Sequence, residues 1–404
     1  MSEEFRFETQ RDYINYSKKM HGYSKAVSKL LDLVTGYIQW AEDQARLGKR
    51  VSYTAGSWDA PLFYGCNTIP IAFTELGRLG SRQAITLAEN QFLTPKESCS
   101  MVNSMLGEWY MRKDGPIKKV LLTTGICEAI VMAGELIKKE GYKLHFIEDI
   151  FLPKWLSEDE QEERIRFFTR ELRDAAKFLL DGKEPDETKI SEEIKRLNRI
   201  IDKVHHIIDL RRDKPLYIKS LPTMYLLCGL GHLYGRPEVF EDVVTELEEE
   251  LLHDNPEFDN NKNVIPVVWV GARGQEFGVY HAVDICGGAI VGWIAVNNYT
   301  RKYPEDVPPL ESITRYLFGN TQSRNLPIIH RNQAIEREVQ KVNAKGVILY
   351  GYVGCALQGV QTELQRAYLK ERGITSLGIE GTFQVGQPSG QLLTRVSAFM
   401  EMLA

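Results

Sequence analysis

The feature that most constrains this chain is a junction of apolar run, glycine, cysteine and helix that occurs twice. One apolar run leads through Gly125 to Cys127. A second leads through Gly354 to Cys355. Continuous apolar runs that alternate with helical segments are typical of parallel strands buried between helices. The pattern therefore predicts two α/β units, each of which presents a cysteine at the carboxyl edge of its sheet.

The order of segments along the 404 residues predicts four regions. Residues 1–50 carry apolar side chains at helical spacing and are expected to form an N-terminal helical segment. Residues 51–156 and 261–404 alternate strands with helices, which predicts two Rossmann-like parallel-sheet domains. Residues 157–260 show only helical stripes and are predicted to form a helical segment between them. We expect the two α/β domains to face each other across a cleft.

Charge and hydropathy argue against several classes of protein. The formal net charge of -5 argues against a general nucleic-acid binder. No run of about 18 apolar residues occurs, so we expect no membrane-spanning helix. The charged N-terminus lacks an apolar signal core, which predicts a cytoplasmic protein.

Three of the six cysteines, Cys99, Cys127 and Cys355, each come just before a predicted helix. No two cysteines form a CxxC pair, which disfavours zinc ribbons, and a disulfide framework is not expected in a chain of this size without a signal peptide. Three thiolates brought together from distant segments would suit an iron–sulfur cubane with one open iron. The alternative for each cysteine is a buried structural thiol, because cysteine is among the most buried residue types.

The other three cysteines are weaker candidates for such a site. Cys228 lies in an apolar helical stretch and is predicted to be in the core. Cys286 lies near a predicted strand end. A position in the core is favoured for it, and a position near the site is the alternative. The sequence around Cys66 favours neither the core nor the site.

Candidate sites for phosphate or other anions are limited. The glycine-containing segment after the strand at 264–270 matches neither GxGxxG nor GxxxxGK[ST], so this chain is not expected to bind ATP. The segment 386–395 is a glycine-rich loop that leads into a helix, and such helix N-termini bind anions well. The alternative for this segment is a simple loop with a helix cap.

Together these motifs resemble the family of 2-hydroxyacyl-CoA dehydratases and benzoyl-CoA reductases, specifically its cluster-bearing subunits. The resemblance covers the chain from about residue 50 onward. It is carried by the segments 97–100 before a helix, 126–128 after a strand, 353–355, and the terminal helix at 390–403.

The resemblance implies a [4Fe–4S] cluster held by Cys99, Cys127 and Cys355. It also implies an acyl-CoA substrate, a paralogous cluster-bearing subunit as heterodimer partner, and a separate ATP-hydrolysing iron–sulfur activator that injects one electron. The implied reaction removes water from an (R)-2-hydroxyacyl-CoA through a ketyl radical, which makes the proton at carbon 3 acidic enough to leave. Ser57 and Gln391 are the candidates for polar groups near the cluster.

Three alternatives stay open. The first is a benzoyl-CoA reductase subunit of the same family, which leaves the electrons in the reduced ring. The second is a non-catalytic electron carrier with a double-cubane cluster, which needs more thiolates than one cubane does. The third is a two-domain small-molecule binder without metal.

One departure from the family pattern bears on the role of this subunit. The family often has a glutamate shortly after a proline that follows the first strand. Here Pro61 is followed by Leu62, Phe63 and Tyr64, with no acid. The departure argues against substrate handling by this subunit and leaves electron relay to a partner as its role.

Overall fold

The fold consists of two four-stranded parallel sheets with a helical segment between them along the chain. This confirms the predicted α/β class with two parallel-sheet domains. The computed structural model describes residues 6–55, 60–79, 82–125, 127–148, 156–253, 264–271, 277–294, 301–319, 328–381 and 385–404.

Two helices precede the first sheet, α1 (Gln10–Met20) and α2 (Lys25–Arg46). The first sheet has the order β2-β1-β3-β4, and all neighbouring strands are parallel. Its strands are β1 (Arg50–Ala55), β2 (Thr68–Ala72), β3 (Lys119–Thr123) and β4 (Lys143–Ile147). Its helices are α3 (Ala60–Gly65), α4 (Phe73–Arg78), α5 (Arg82–Phe92), α6 (Ser100–Met111) and α7 (Glu128–Lys138).

The described residues between 157 and 253 form four α-helices, and three of them carry the apolar stripes seen in the sequence. They are α8 (Glu158–Leu179), α9 (Glu187–Asp213), α10 (Ser220–Gly229) and α11 (Pro237–Leu252). A capping box begins α8, because the Ser157 N–H donates to the Glu160 carboxylate and the Glu160 N–H donates to Ser157 Oγ. None of the helices in the described ranges is long and apolar enough to cross a membrane.

The second sheet repeats the topology of the first, with the parallel order β6-β5-β7-β8. Its strands are β5 (Ile265–Gly271), β6 (Gly288–Ile294), β7 (Gly346–Tyr352) and β8 (Thr375–Gly381). Its helices are α12 (Phe277–Ile285), α13 (Pro309–Gly319), α14 (Ile328–Lys341), α15 (Ala356–Glu371) and α16 (Gly390–Leu403).

The shared strand order creates one topological switch point in each sheet. The chain leaves the first central strand toward one side of the sheet and the second central strand toward the other. Open parallel sheets bind ligands at this reversal, outside the carboxyl ends of the two central strands. Cys127 follows β3 and Cys355 follows β7, so both lie at equivalent switch points.

A buried arginine fixes the helical segment to the second sheet. Arg211 of α9 donates from Nε to the carbonyl of Ile218 at 2.6 Å and from Nη1 to the carbonyl of Ile290 in β6. Only 2% of Arg211 is exposed. A guanidinium taken out of water is costly unless it is hydrogen-bonded, so these two carbonyls stabilise the contact between α9 and β6.

The helix that begins after Cys99 packs closely against its neighbour through a glycine. A Cβ atom at Gly107 of α6 would lie 1.8 Å from the carbonyl oxygen of Ala84 in α5. No real side chain fits at that distance, so the absence of a Cβ allows α5 and α6 to meet backbone to backbone. The position of α6 in turn sets where Cys99 lies.

We predict that Gly107→Ala lowers the free energy of unfolding by about 1–3 kcal/mol, because α5 and α6 must move apart. Urea unfolding followed by circular dichroism measures this change. The matched control is Gly359→Ala inside α15, where an added Cβ meets nothing within 4 Å. The control should gain roughly 0.5–1 kcal/mol from helix propensity. Equal midpoints for the two variants would contradict the close packing.

Candidate functional site

The three cysteines singled out in the sequence occupy the same structural position. Cys99, Cys127 and Cys355 are the N-cap residues of α6, α7 and α15. All three side chains are half-buried. The first turn of a helix has free backbone N–H groups and the positive end of the helix dipole, which favour an anionic sulfur. Each thiol therefore lies beside backbone N–H groups that have no partner within the helix.

Two of these thiols, Cys99 and Cys355, form a hydrogen bond with each other. This hydrogen bond and burial raise the pKa of the Cys99 thiol well above its usual range, while the amides of Val102 and Met101 act to lower it. The raised pKa means that Cys99 is a neutral thiol near neutral pH. A metal that binds this sulfur must displace its proton.

Backbone contacts hold the two cysteine segments together. The N–H of Ser100 donates to the carbonyl of Val353 at 3.4 Å. Gly354 has a φ of +76°, and a Cβ there would lie 2.3 Å from the carbonyl oxygen of Glu97 and 2.6 Å from that of Ser98. Glycine is required both by the positive φ and by the close approach. The Cys99 loop of the first sheet thus touches the switch point of the second.

Cys127 lies at the corresponding switch point of the first sheet. Within the described ranges, no group of three or more His, Cys, Asp or Glu side chains is placed to hold a metal ion. The participation of Cys127 as a third ligand therefore stays a prediction. The chemistry of the donors nevertheless fits an iron–sulfur cluster, because all three are soft thiols drawn from distant segments.

The other sequence candidates lie elsewhere. Ser57 lies outside the described residues. Gln391 is exposed in the first turn of α16, and its role near a cluster stays a prediction. The loop before α16 carries a helix cap, since the N–H of Leu392 donates to Ser389 Oγ at 3.1 Å. The same loop also contacts α1, because the Tyr13 hydroxyl donates to the carbonyl of Gly386 at 2.7 Å.

Two of the remaining cysteines lie at the opposite edge of the sheets. Cys66 lies two residues before β2, and Cys286 lies in the turn between α12 and β6, so both are at amino ends of strands. Cys66 is buried in the core, and burial raises the pKa of its thiol to about 12. Cys286 is half-buried at the amino end of β6. Neither approaches the carboxyl edges where Cys127 and Cys355 lie.

Cys228 is buried in α10, as its apolar surroundings predict, but it has a charged neighbour that the sequence did not reveal. Arg78 Nη2 donates to Cys228 Sγ at 2.9 Å, and Arg78 also pairs with Glu75. His232 Nε2 lies 3.1 Å from Glu75 Oε1. The local signal was the i,i+3 spacing of Glu75 and Arg78 in a short helix, but their partners come from a distant segment. This buried polar cluster binds α4 to α10.

The segment that lacks the expected acid folds into the core. Ala60, Pro61, Leu62 and Phe63 of α3 are all buried. Beneath them, a Cβ at Gly65 would lie 2.5 Å from the side chain of Ile190 in α9. The described part of this segment is therefore a packing element that presents no carboxylate.

Comparison with known families places these features in context. A family model described as 2-hydroxyglutaryl-CoA dehydratase, D-component, matches residues 60–403. A comparison with curated proteins found no match. The matched range contains all three N-cap cysteines and seven of the eight strands described. The chain therefore belongs to the 2-hydroxyglutaryl-CoA dehydratase D-component family.

Proposed function

We propose that this chain is the cluster-bearing subunit of a 2-hydroxyacyl-CoA dehydratase that eliminates water from an (R)-2-hydroxyacyl-CoA. Membership of the dehydratase family supports the reaction class. The observation that carries the cluster assignment is the direct contact of the Cys99 and Cys355 thiols, which come from two different sheets. Thiols meeting at two helix N-termini are a binding arrangement for a thiophilic metal centre.

Cys99, Cys127 and Cys355 are the residues that would hold a [4Fe–4S] cluster. When bound, such a cluster supplies single low-potential electrons and one iron without a protein ligand. The helix N-termini stabilise the negative charge of the thiolates, and Gly354 fixes the spacing of two of them. The role of this chain's own residues is thus to hold the cluster at a fixed, half-buried position.

The implied partners follow from the same proposal. A paralogous subunit forms the heterodimer, and an ATP-hydrolysing iron–sulfur activator delivers the electron for a ketyl-radical elimination from the acyl-CoA. Because α3 is apolar and buried, we propose that this subunit relays electrons and that the partner handles the substrate.

The placement of the remaining cysteines argues against the double-cubane carrier. Such a carrier needs additional thiolates at the same site. Cys66 and Cys286 lie at the amino edges of the sheets, and Cys228 is enclosed by α4 and α10. Three cysteines therefore remain for one cluster.

The iron content of the chain tests the cluster. Anaerobically purified protein should contain about four iron and four sulfide per chain. Cys99→Ala, Cys127→Ala and Cys355→Ala should each lose the cluster's visible absorption and most of the iron. The control is Cys286→Ala, which removes a half-buried thiol at the opposite edge and should keep full iron. Cys228→Ala should also keep the iron, but it deprives the buried Arg78 of its sulfur partner and is a less neutral control.

Wild-type protein without iron, or a loss of iron equal in Cys286→Ala, would contradict the three-ligand assignment. About eight iron per chain would favour the double-cubane carrier instead.

Turnover tests the reaction class. We expect conversion of a (R)-2-hydroxyacyl-CoA to the 2-enoyl-CoA only when partner, activator, ATP and a reductant are all present. Mass spectrometry of the thioester product measures the loss of water. A product reduced by two electrons, from an aromatic acyl-CoA and without loss of water, would move the assignment to the reductase.

The spacing imposed by Gly354 gives a further test. Gly354→Ala should weaken iron retention by on the order of tenfold, because a Cβ would push the Glu97–Ser98 peptide away from Cys355. Gly373→Ala is the matched control. It has a φ of +69° and carries the same backbone strain of about 1 kcal/mol, but its Cβ meets nothing within 4 Å. Iron retention and EPR line shape, measured during chelator challenge, should differ between the two variants, and equal behaviour would refute this positioning role.

A further inference from the structure

We propose that the cluster-free chain closes a disulfide between Cys99 and Cys355, which reversibly locks the first sheet's Cys99 loop onto the second sheet. The proposal goes beyond the proposed function and depends on it only for its consequence, since both cysteines would otherwise hold the cluster. The two thiols form a hydrogen bond with each other.

The contact between the two sulfurs is maintained by the backbone. Ser100 donates to the carbonyl of Val353, and Gly354 lies directly against the Glu97–Ser98 peptide. On the other side, the N–H of Val353 donates to the carbonyl of Gly381 at 2.9 Å, at the end of β8. These contacts involve no cysteine side chain, so loss of a cluster leaves both segments in place. The two sulfurs therefore stay neighbours in the cluster-free chain.

The arrangement selects one pair from the six cysteines. Cys66 and Cys228 are buried at 1% and 3% exposure, so an oxidant cannot reach them. Cys286 lies at the opposite edge of the second sheet. Cys127 belongs to the β3–α7 junction, and none of the described contacts joins it to another cysteine. Only Cys99 and Cys355 are both half-buried and in contact with each other.

The oxidation proceeds by ordinary thiol–disulfide exchange with a small-molecule disulfide such as oxidised glutathione. One of the two cysteines gives up its proton to the solvent and attacks the glutathione disulfide as the thiolate, which forms a mixed disulfide and releases one glutathione thiolate. The second cysteine then attacks the protein sulfur of the mixed disulfide and releases the second glutathione. The two cysteines lose two electrons and two protons, and the glutathione disulfide becomes two thiols.

The consequence concerns reloading of the site. A disulfide removes two of the three proposed ligands, so a cluster cannot enter until a reductant opens it. The same bond protects both sulfurs from oxidation to sulfinic or sulfonic acids, which are not recovered by thiols. The pair would thus hold an oxygen-damaged chain in a form that can be repaired.

The test uses the full-length chain, stripped of iron by a chelator under anaerobic reducing conditions and then exposed to oxidised glutathione. Free thiols are alkylated, and peptides from a non-reducing digest are identified by mass spectrometry. We expect two of the six thiols to disappear, with one cross-linked peptide pair that contains Cys99 and Cys355. Iron and sulfide should restore the visible absorption of the cluster only after treatment with dithiothreitol.

Two variants make the outcome specific. Cys127→Ser should form the same cross-link, whereas Cys99→Ser should form none and leave Cys355 alkylated or glutathionylated. Cross-links through Cys127, or six alkylated thiols after oxidation, would overturn the proposal. The proposed function fails separately, through absence of iron in protein purified without oxygen. A chain with full iron and no cross-link after stripping would refute the disulfide alone.

Discussion

The close approach of Gly354 to the Glu97–Ser98 peptide is the contact on which the candidate site depends. It joins the loop before α6 to the switch point of the second sheet at a distance that leaves no room for a Cβ atom, so only glycine fits. The positive φ of Gly354 turns β7 sharply into α15, so that Cys355 caps this helix beside Cys99. Side-chain packing alone does not explain the pairing of these thiols, because backbone atoms make the contact. Backbone contacts thus determine where the two sulfur atoms lie.

A second consequence of this geometry is electrostatic. The protein places each candidate ligand at the N-terminus of a helix, where free N–H groups and the helix dipole favour negative charge. Three thiolates and a reduced cluster would concentrate negative charge, and a half-buried position reduces the stabilisation of that charge by water. Lysines or arginines at the site would compensate it, but they would also attract anions from solution. Helix termini provide a fixed positive potential without a flexible side chain.

The central strands and the cysteine junctions could be predicted from the sequence, while their assembly could not. The strand at β3 and the helices after Cys99, Cys127 and Cys355 were predicted because apolar runs and helix starts are local signals. The bounds of the edge strands β2 and β6 were not predicted. Pro70 interrupts the ladder pattern of β2, and β6 begins and continues with Gly288 and Gly292, which lower strand propensity. Without these edge strands the strand order, and hence the switch point, could not be predicted. The contact of Cys99 with Cys355 depends on how two distant sheets meet, which no local pattern encodes.

The repeat also explains why three ligands are expected instead of four. In each sheet one cysteine follows the second central strand, Cys127 after β3 and Cys355 after β7. The two sheets do not match in any further cysteine of this kind. The third proposed ligand, Cys99, comes from the long connection between β2 and β3. The corresponding connection between β6 and β7 contains no cysteine in its sequence. A chain with one such loop supplies an odd number of thiols, and a cubane bound by it keeps one iron free of protein. In the proposed cluster, an iron without a protein ligand would thus follow from an asymmetry between two otherwise matching sheets.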